Sequence, residues 1–139
     1  MNVQNMEYNF LMLEDNILSI QINKNYLQLN QGNIDSLRAD YSLISTNETN
    51  GNNPLYSKVI ELLKDYEVVI KFEKVSSALK ELEDNKIIDH LNRENFRKIS
   101  FPIFVQSEYL KSYLKDSGMQ FEISLFLENS NFQVIDLDS

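Results

Sequence analysis

The sequence predicts an α+β domain: a mainly antiparallel sheet, with an N-terminal meander and a C-terminal hairpin, and three to four short helices packed on it. Three observations carry this. Residues 6–29 are short alternating apolar runs divided by three-residue, asparagine-containing connections. Beyond Pro54, apolar residues at helical spacing interleave with β-branched runs. The chain then closes on two alternating runs across "NSN". Grouped strands followed by mixed elements are the pattern of an α+β fold. No repeat or linker divides the 139 residues, so they are read as a single domain over 1–139.

The elements follow in order. Residues 6–13 place Tyr8, Phe10 and Met12 on one face and Leu11 and Leu13 on the other. Residues 17–22 alternate through Leu18, Ile20 and Ile22, and 26–29 form a short third strand. "EDN" and "NKN" join them at a common hairpin length. Residues 34–44 fit two periods. Ile34, Leu37, Tyr41 and Ile44 fall at helical spacing, whereas Leu37, Ala39, Tyr41 and Leu43 alternate. We read a strand there, continuing the meander.

"STNETNGNN" is a loop, and Pro54 suits the first turn of a helix over 55–66 with Leu55, Val59, Leu62, Leu63 and Tyr66 inward. "EVVIKFE" is a β-rich strand over 67–73. Helices are expected over 77–84 and 86–95. A strand is expected over 98–106, placed at an edge or bulged because Pro102 donates no ladder hydrogen bond. Ser107 is the expected cap of a helix over 108–117, with Glu108 at its start, Lys111 and Lys115 towards its end and Gly118 as its stop. Residues 119–128 and 132–137 form the expected closing hairpin. The helices are expected to cover one face of the sheet.

Composition narrows the function classes. With no cysteine, thiolate metal sites, disulfides and cysteine nucleophiles are excluded. The opening "MNVQNMEYNFLMLEDN" has no basic start and no long apolar run, so the expected location is the cytoplasm. The net charge of −8 is uneven. Residues 1–57 carry −4, residues 58–99 carry 0 and residues 100–139 carry −4. Such a field repels nucleic acid and anionic lipid and favours a cationic partner.

Few residues suit neutral-pH chemistry. His90 in "IIDHLNREN" is the single histidine. On a helix it neighbours Glu94 while Asp89 points elsewhere, so the three make no local cluster, and a polar helix surface accounts for them. The 21 acids guarantee some close carboxylate pair in any fold and single out none. There is no G-x-S-x-G and no phosphate loop. "RENFRK" is too short and too surrounded by acids for a nucleic-acid patch. Tyr109 and Tyr113, at i and i+4, either pack in the core with Leu110 and Leu114 or anchor an interface. Phe126, on an otherwise polar face, signals that something covers that face.

Together these readings describe a binding domain, not an enzyme, that occludes a basic protein partner without a cofactor, metal, nucleic acid or membrane. An immunity protein or antitoxin against a basic toxin is the concrete form. The expected contacts are Glu14 and Asp15 in the first hairpin, Tyr109 and Tyr113, and Asp136 and Asp138 near the end. The alternatives are a DNA-mimic inhibitor, for which the neutral middle segment is unfavourable, and an enzyme using carboxylates or His90 with a metal.

Overall fold

Two asparagine-bearing turns set the start of the fold, which the computed structural model describes over residues 8–47, 53–74 and 97–135. Strands β1 (Tyr8–Glu14) and β2 (Ile17–Ile22) are joined through Asp15 and Asn16, both with positive φ (53° and 66°). That is the backbone of a type I′ hairpin turn, whose twist matches the strands it joins. Asn23 (φ 58°) turns β2 into β3 (Asn25–Gln28) in the same way. Asp and Asn tolerate this conformation better than other side chains, and here they do the work for which glycine is usual. The expected meander is present, antiparallel throughout.

The stretch 34–44 departs from expectation. Ile34–Ser36 is a single 3-10 turn, and a strand, β4 (Tyr41–Ser45), begins only at Tyr41. The helical period was real for Ile34 and Leu37, which the turn buries, and the alternating period for the strand. β4 does not extend the meander. It lies beside β1 and parallel to it, with Tyr8 opposite Tyr41 and Leu11 opposite Ile44.

Helix α1 (Leu55–Leu63) starts as expected behind Pro54, with the Asn53 side chain accepting the Leu55 N–H at 2.9 Å. Its Val59 and Leu63 are buried. Strand β5 (Val68–Lys74) pairs antiparallel with β6 (Arg97–Gln106). β6 is not an edge: it lies between β4 and β5. The register between β5 and β6 shifts between Val69 and Lys71, opposite Pro102, so the proline sits at an irregularity where its missing donor breaks no ladder. The helices expected over 77–84 and 86–95, and His90 with them, lie outside the described residues.

Helix α2 (Ser107–Ser117) ends at Gly118 in the left-handed conformation (φ 70°), with Glu108 in its first turn and Lys115 in its last. Ser107 is not its cap. The N-cap position is Gln106, and the Ser107 hydroxyl is turned into the core. The closing hairpin is also corrected. Residues Ile123–Glu128 form a short helix, α3, and β7 (Phe132–Ile135) pairs parallel with β5. The apolar residues of 121–127 alternate, yet Ile123, Phe126 and Leu127 also stand at i, i+3 and i+4, one helical face. The Glu122 carboxylate accepts the Leu125 N–H at 2.8 Å and caps that helix, which settles the choice between the periods.

The result is one mixed sheet of seven strands in the order β3-β2-β1-β4-β6-β5-β7. Its pairings are antiparallel except β1·β4 and β5·β7. The expectation of helices on one face gives way to helices on both, three in all among the described residues. One face packs Tyr8, Leu43, Val69 and Phe104 against Val59 and Leu63 of α1. The other packs Leu11, Ile20, Ile44, Ile70 and Val105 against Leu110 and Leu114 of α2 and Phe121, Phe126 and Leu127. A phenylalanine buried in this way contributes about 2–3 kcal/mol. Among the described residues no helix is long and apolar enough to cross a membrane.

Candidate functional site

The site is built on α2, and a buried polar cluster fixes where that helix starts. The Asn9 amide nitrogen donates to the Ala39 carbonyl (3.1 Å), Ser42 Oγ (3.1 Å) and Ser107 Oγ (3.2 Å), and its oxygen accepts the Ala39 N–H (3.2 Å). Ser42 and Ser107 share a further bond of 2.8 Å. Buried polar groups are costly unless bonded. Here they satisfy one another and tie β1, β4 and α2 together. From the other side, the Gln106 side chain donates to the carbonyls of Leu63 (2.7 Å) and Tyr66 (3.2 Å).

Helix α3 is then latched onto α2. The Tyr109 hydroxyl donates to the Phe126 carbonyl at 2.9 Å, and Tyr113 bonds the backbone of Glu122. The rings pack with the hydroxyls. Centroids lie 5.0 Å apart for Tyr109–Phe126, 5.1 Å for Tyr113–Phe126 and 4.8 Å for Phe121–Phe126. This is the tilted and edge-on packing that aromatic quadrupoles favour. Burial, with the Glu67 carboxylate adding to it, raises the Tyr109 phenol above its ordinary range, against a smaller opposing hydrogen bond from Ser130. Tyr109 therefore stays protonated at neutral pH and is no base there.

Two grooves flank α3. One, of about 390 Å³, runs between α2 and α3 and is lined by Tyr109, Ser112, Tyr113, Asp116, Leu125 and Glu128 among others. Its charged lining residues are both acids. The second, of about 470 Å³, lies between α3 and the margin of the sheet, with Ile70, Phe72, Ile99, Leu125, Glu128 and Phe132 on its walls. Leu125 and Glu128 line both, so α3 is a ridge between an acidic groove and an apolar one. Leu125 is 58% exposed. Phe72, Phe132 and Val134 are also exposed. Val69 and Ile135 pack towards α1, so their neighbours Ile70 and Val134, with Phe132 two residues before Val134, point to the α2–α3 face. Among the described residues no helix covers that face along β7.

The expected contact residues are partly brought together. Tyr109 and Tyr113 line the acidic groove with half-buried rings, and their hydroxyls serve α3. Glu14 and Asp15 are exposed on the first hairpin, beside Asn16, whose carbonyl accepts the Phe121 N–H at 2.8 Å. That bond sets the hairpin against the segment joining α2 to α3. Asp136 and Asp138 lie outside the described residues. Reading the sequence did not find Ser112, Asp116, Leu125 or Glu128. The helical spacing of Tyr109, Ser112, Tyr113 and Asp116 carried the first two, whereas the strand reading of 119–128 hid the others. Among the described residues no three of His, Cys, Asp and Glu are grouped to hold a metal.

No protein-family model matches the chain, and no curated protein matches its sequence. Solved structures do resemble it. The bifunctional IspDF from Campylobacter jejuni matches at TM-score 0.50 and 15% identity, over 76% of this chain and 28% of that one. The 4-diphosphocytidyl-2C-methyl-D-erythritolsynthase from Anaerococcus prevotii matches at TM-score 0.48 and 19% identity, over 75% of this chain and 53% of that one. The chain thus spans about a quarter to a half of these proteins. At such identities the likeness is one of fold. It corrects the expectation that the chain is not an enzyme only this far: part of a bifunctional IspDF shares the fold, so the fold gives no ground for excluding an enzyme.

Proposed function

We propose that the face formed by α2, α3 and β7 binds a positively charged segment of a partner protein. The observation that supports this best is the groove between α2 and α3: its charged lining residues are Asp116 and Glu128, and exposed Leu125 stands beside them. Hydroxyls of Ser112 and Ser117 add acceptors for an ammonium or guanidinium group. The acidic surplus of the whole chain, −8, attracts a cationic partner, Asp116 and Glu128 hold its charge at the face, and burial of apolar surface around Leu125 retains it. In its most concrete form the partner is a basic toxin and the chain its immunity protein or antitoxin.

The test is a capture from lysate of the source organism at low and high salt, comparing the wild type with an Asp116→Lys/Glu128→Lys double variant. A basic protein held by the wild type at low salt, weakened by high salt and lost by the variant supports the reading. The same protein held equally by both overturns it.

A second reading, an enzyme, is favoured by the fold shared with IspDF. It predicts a small-molecule ligand that raises the melting temperature of the purified protein. Metal analysis and a thermal-shift screen test it; a protein without bound metal that no small molecule stabilises counts against it.

A further inference from the structure

We infer that the cationic segment enters the groove between α2 and α3 through an arginine rather than a lysine, its guanidinium lying on the rings of Tyr109 and Tyr113 while its N–H groups bond Asp116 and Glu128. This deepens the reading of the face as a site for a cationic segment, and rests on it.

Three observations carry it. First, the rings and the acids share one groove: Tyr109, Tyr113, Asp116 and Glu128 all line it. Tyr113 precedes Asp116 by three residues on α2, a spacing that sets Cβ atoms about 5–6 Å apart on one helix face. A cation bonded to the Asp116 carboxylate is thereby brought beside the Tyr113 ring, and cation–π attraction acts within roughly 6 Å of a ring centre. Second, the tyrosines offer the groove carbon rather than oxygen. Both are half-buried, and both hydroxyls are bonded to backbone of the α3 segment, at Phe126 and Glu122. A flat, weakly hydrated guanidinium packs on such rings better than a compact, strongly hydrated ammonium. Third, the acids are not already neutralised. Among the described residues the ion pairs are Glu61–Lys64 and Glu108–Lys111, which include neither Asp116 nor Glu128, and no lysine or arginine lines the groove. Two carboxylates and the Ser112 hydroxyl suit the five donors of a guanidinium, which bonds a carboxylate through two parallel N–H groups. Exposed Leu125 adds an apolar ridge for the residues that flank the arginine.

The test uses the full chain and three capped tripeptides, in which two leucines flank an arginine, a lysine or a citrulline. Lysine keeps the charge without the plane, and citrulline keeps the plane without the charge. Affinity and site are read together from amide shifts in an NMR titration, and nuclear Overhauser contacts are sought between the arginine side chain and the rings of Tyr109 and Tyr113. The expected result is shifts at Ser112, Asp116 and Glu128, contacts to the rings, and binding of the arginine peptide at least about five-fold tighter than of either other peptide. Lysine binding as tight as arginine, or an arginine preference without ring contacts, overturns arginine selection. The two readings separate through the controls. If the arginine and lysine peptides bind the groove equally and Asp116→Lys/Glu128→Lys loses both, arginine selection fails and the cationic site stands. If the citrulline peptide binds as tightly as the arginine peptide, the groove selects a plane and not a charge, and both fail. Both fail also if no peptide shifts the groove residues.

Discussion

The phenol oxygen of Tyr113 serves both backbone groups of Glu122, accepting its N–H at 3.2 Å and donating to its carbonyl at 3.3 Å. Glu122 in turn caps α3 through its carboxylate. One hydroxyl on α2 therefore holds the residue from which α3 begins, and with it the ridge between the two grooves. A six-residue helix has little stability of its own, so its position depends on such attachments.

Tyr113→Phe tests this. The ring contacts with Phe121 and Phe126 remain, while the Glu122 N–H loses its acceptor and the Glu122 carbonyl keeps only its bond from the Phe126 N–H. The expected loss is about 1–2 kcal/mol, read as a lower urea midpoint with unchanged slope. Faster amide exchange over 122–128, with α2 unaffected, is the local signature. An unchanged midpoint would mean that water replaces the hydroxyl without cost.

The Asn9 cluster makes a stronger demand. Asn9→Ala leaves the Ala39 backbone N–H without the Asn9 acceptor and the Ala39 carbonyl without that donor, and opens a cavity between β1 and α2. The expected cost is about 2–4 kcal/mol, combining unsatisfied polar groups with lost packing. Ser42→Ala is milder, because Ser107 keeps its bond from Asn9. If chemical denaturation ranked the two in the opposite order, the serine pair rather than the asparagine would be the centre of the cluster.

At Gly118 the question is backbone conformation alone. A Cβ added there meets nothing within 4 Å, but φ is 70°. Gly118→Ala should therefore cost about 1 kcal/mol from left-handed strain, and Gly118→Asn less. A thermal melt of the three proteins checks the order glycine, asparagine, alanine.

The legible and the illegible parts of this fold differ for physical reasons. The meander could be read because alternation and turn residues agreed: Asp15, Asn16 and Asn23 sit where positive φ is needed. Helix α2 could be read because Glu108, Lys115 and Gly118 all mark its direction. Parallel pairing of β4 with β1, and of β7 with β5, could not. Nothing local distinguishes a strand that pairs with its neighbour in sequence from one that crosses over. Residues 123–128 favour the helix although one apolar set satisfies both periods: beside the local Glu122 cap, the contacts from Tyr109 and Tyr113 that hold it come from another helix, out of reach of a local pattern. The strand reading concealed Leu125 and Glu128, half of what makes the grooves a candidate site. Phe126 was the clue within the sequence: its cover is supplied by the chain's own α2.

The last prediction concerns alkaline pH. Burial, and secondarily Glu67, raises the Tyr109 phenol above the ordinary value of 10.0. Burial does the same to Tyr56. A raised phenol pKa means that the folded chain holds its proton more tightly than the unfolded chain does. The resulting stability is fully present below the unfolded value of about 10, and it falls as pH rises through the folded value. Stability should therefore decline from about pH 10 upward, with a slope set in part by Tyr109. Deprotonation also removes the donor to the Phe126 carbonyl and places an anion beside it, so α3 should loosen together with the loss. Urea denaturation of wild type and Tyr109→Phe at neutral and alkaline pH checks this. The variant should be the less stable protein at neutral pH, where the hydroxyl bond is intact in the wild type, and the difference should shrink as pH rises. A gap that stays constant across that range would remove Tyr109 from the account of alkaline unfolding and leave burial of Tyr56 to carry it.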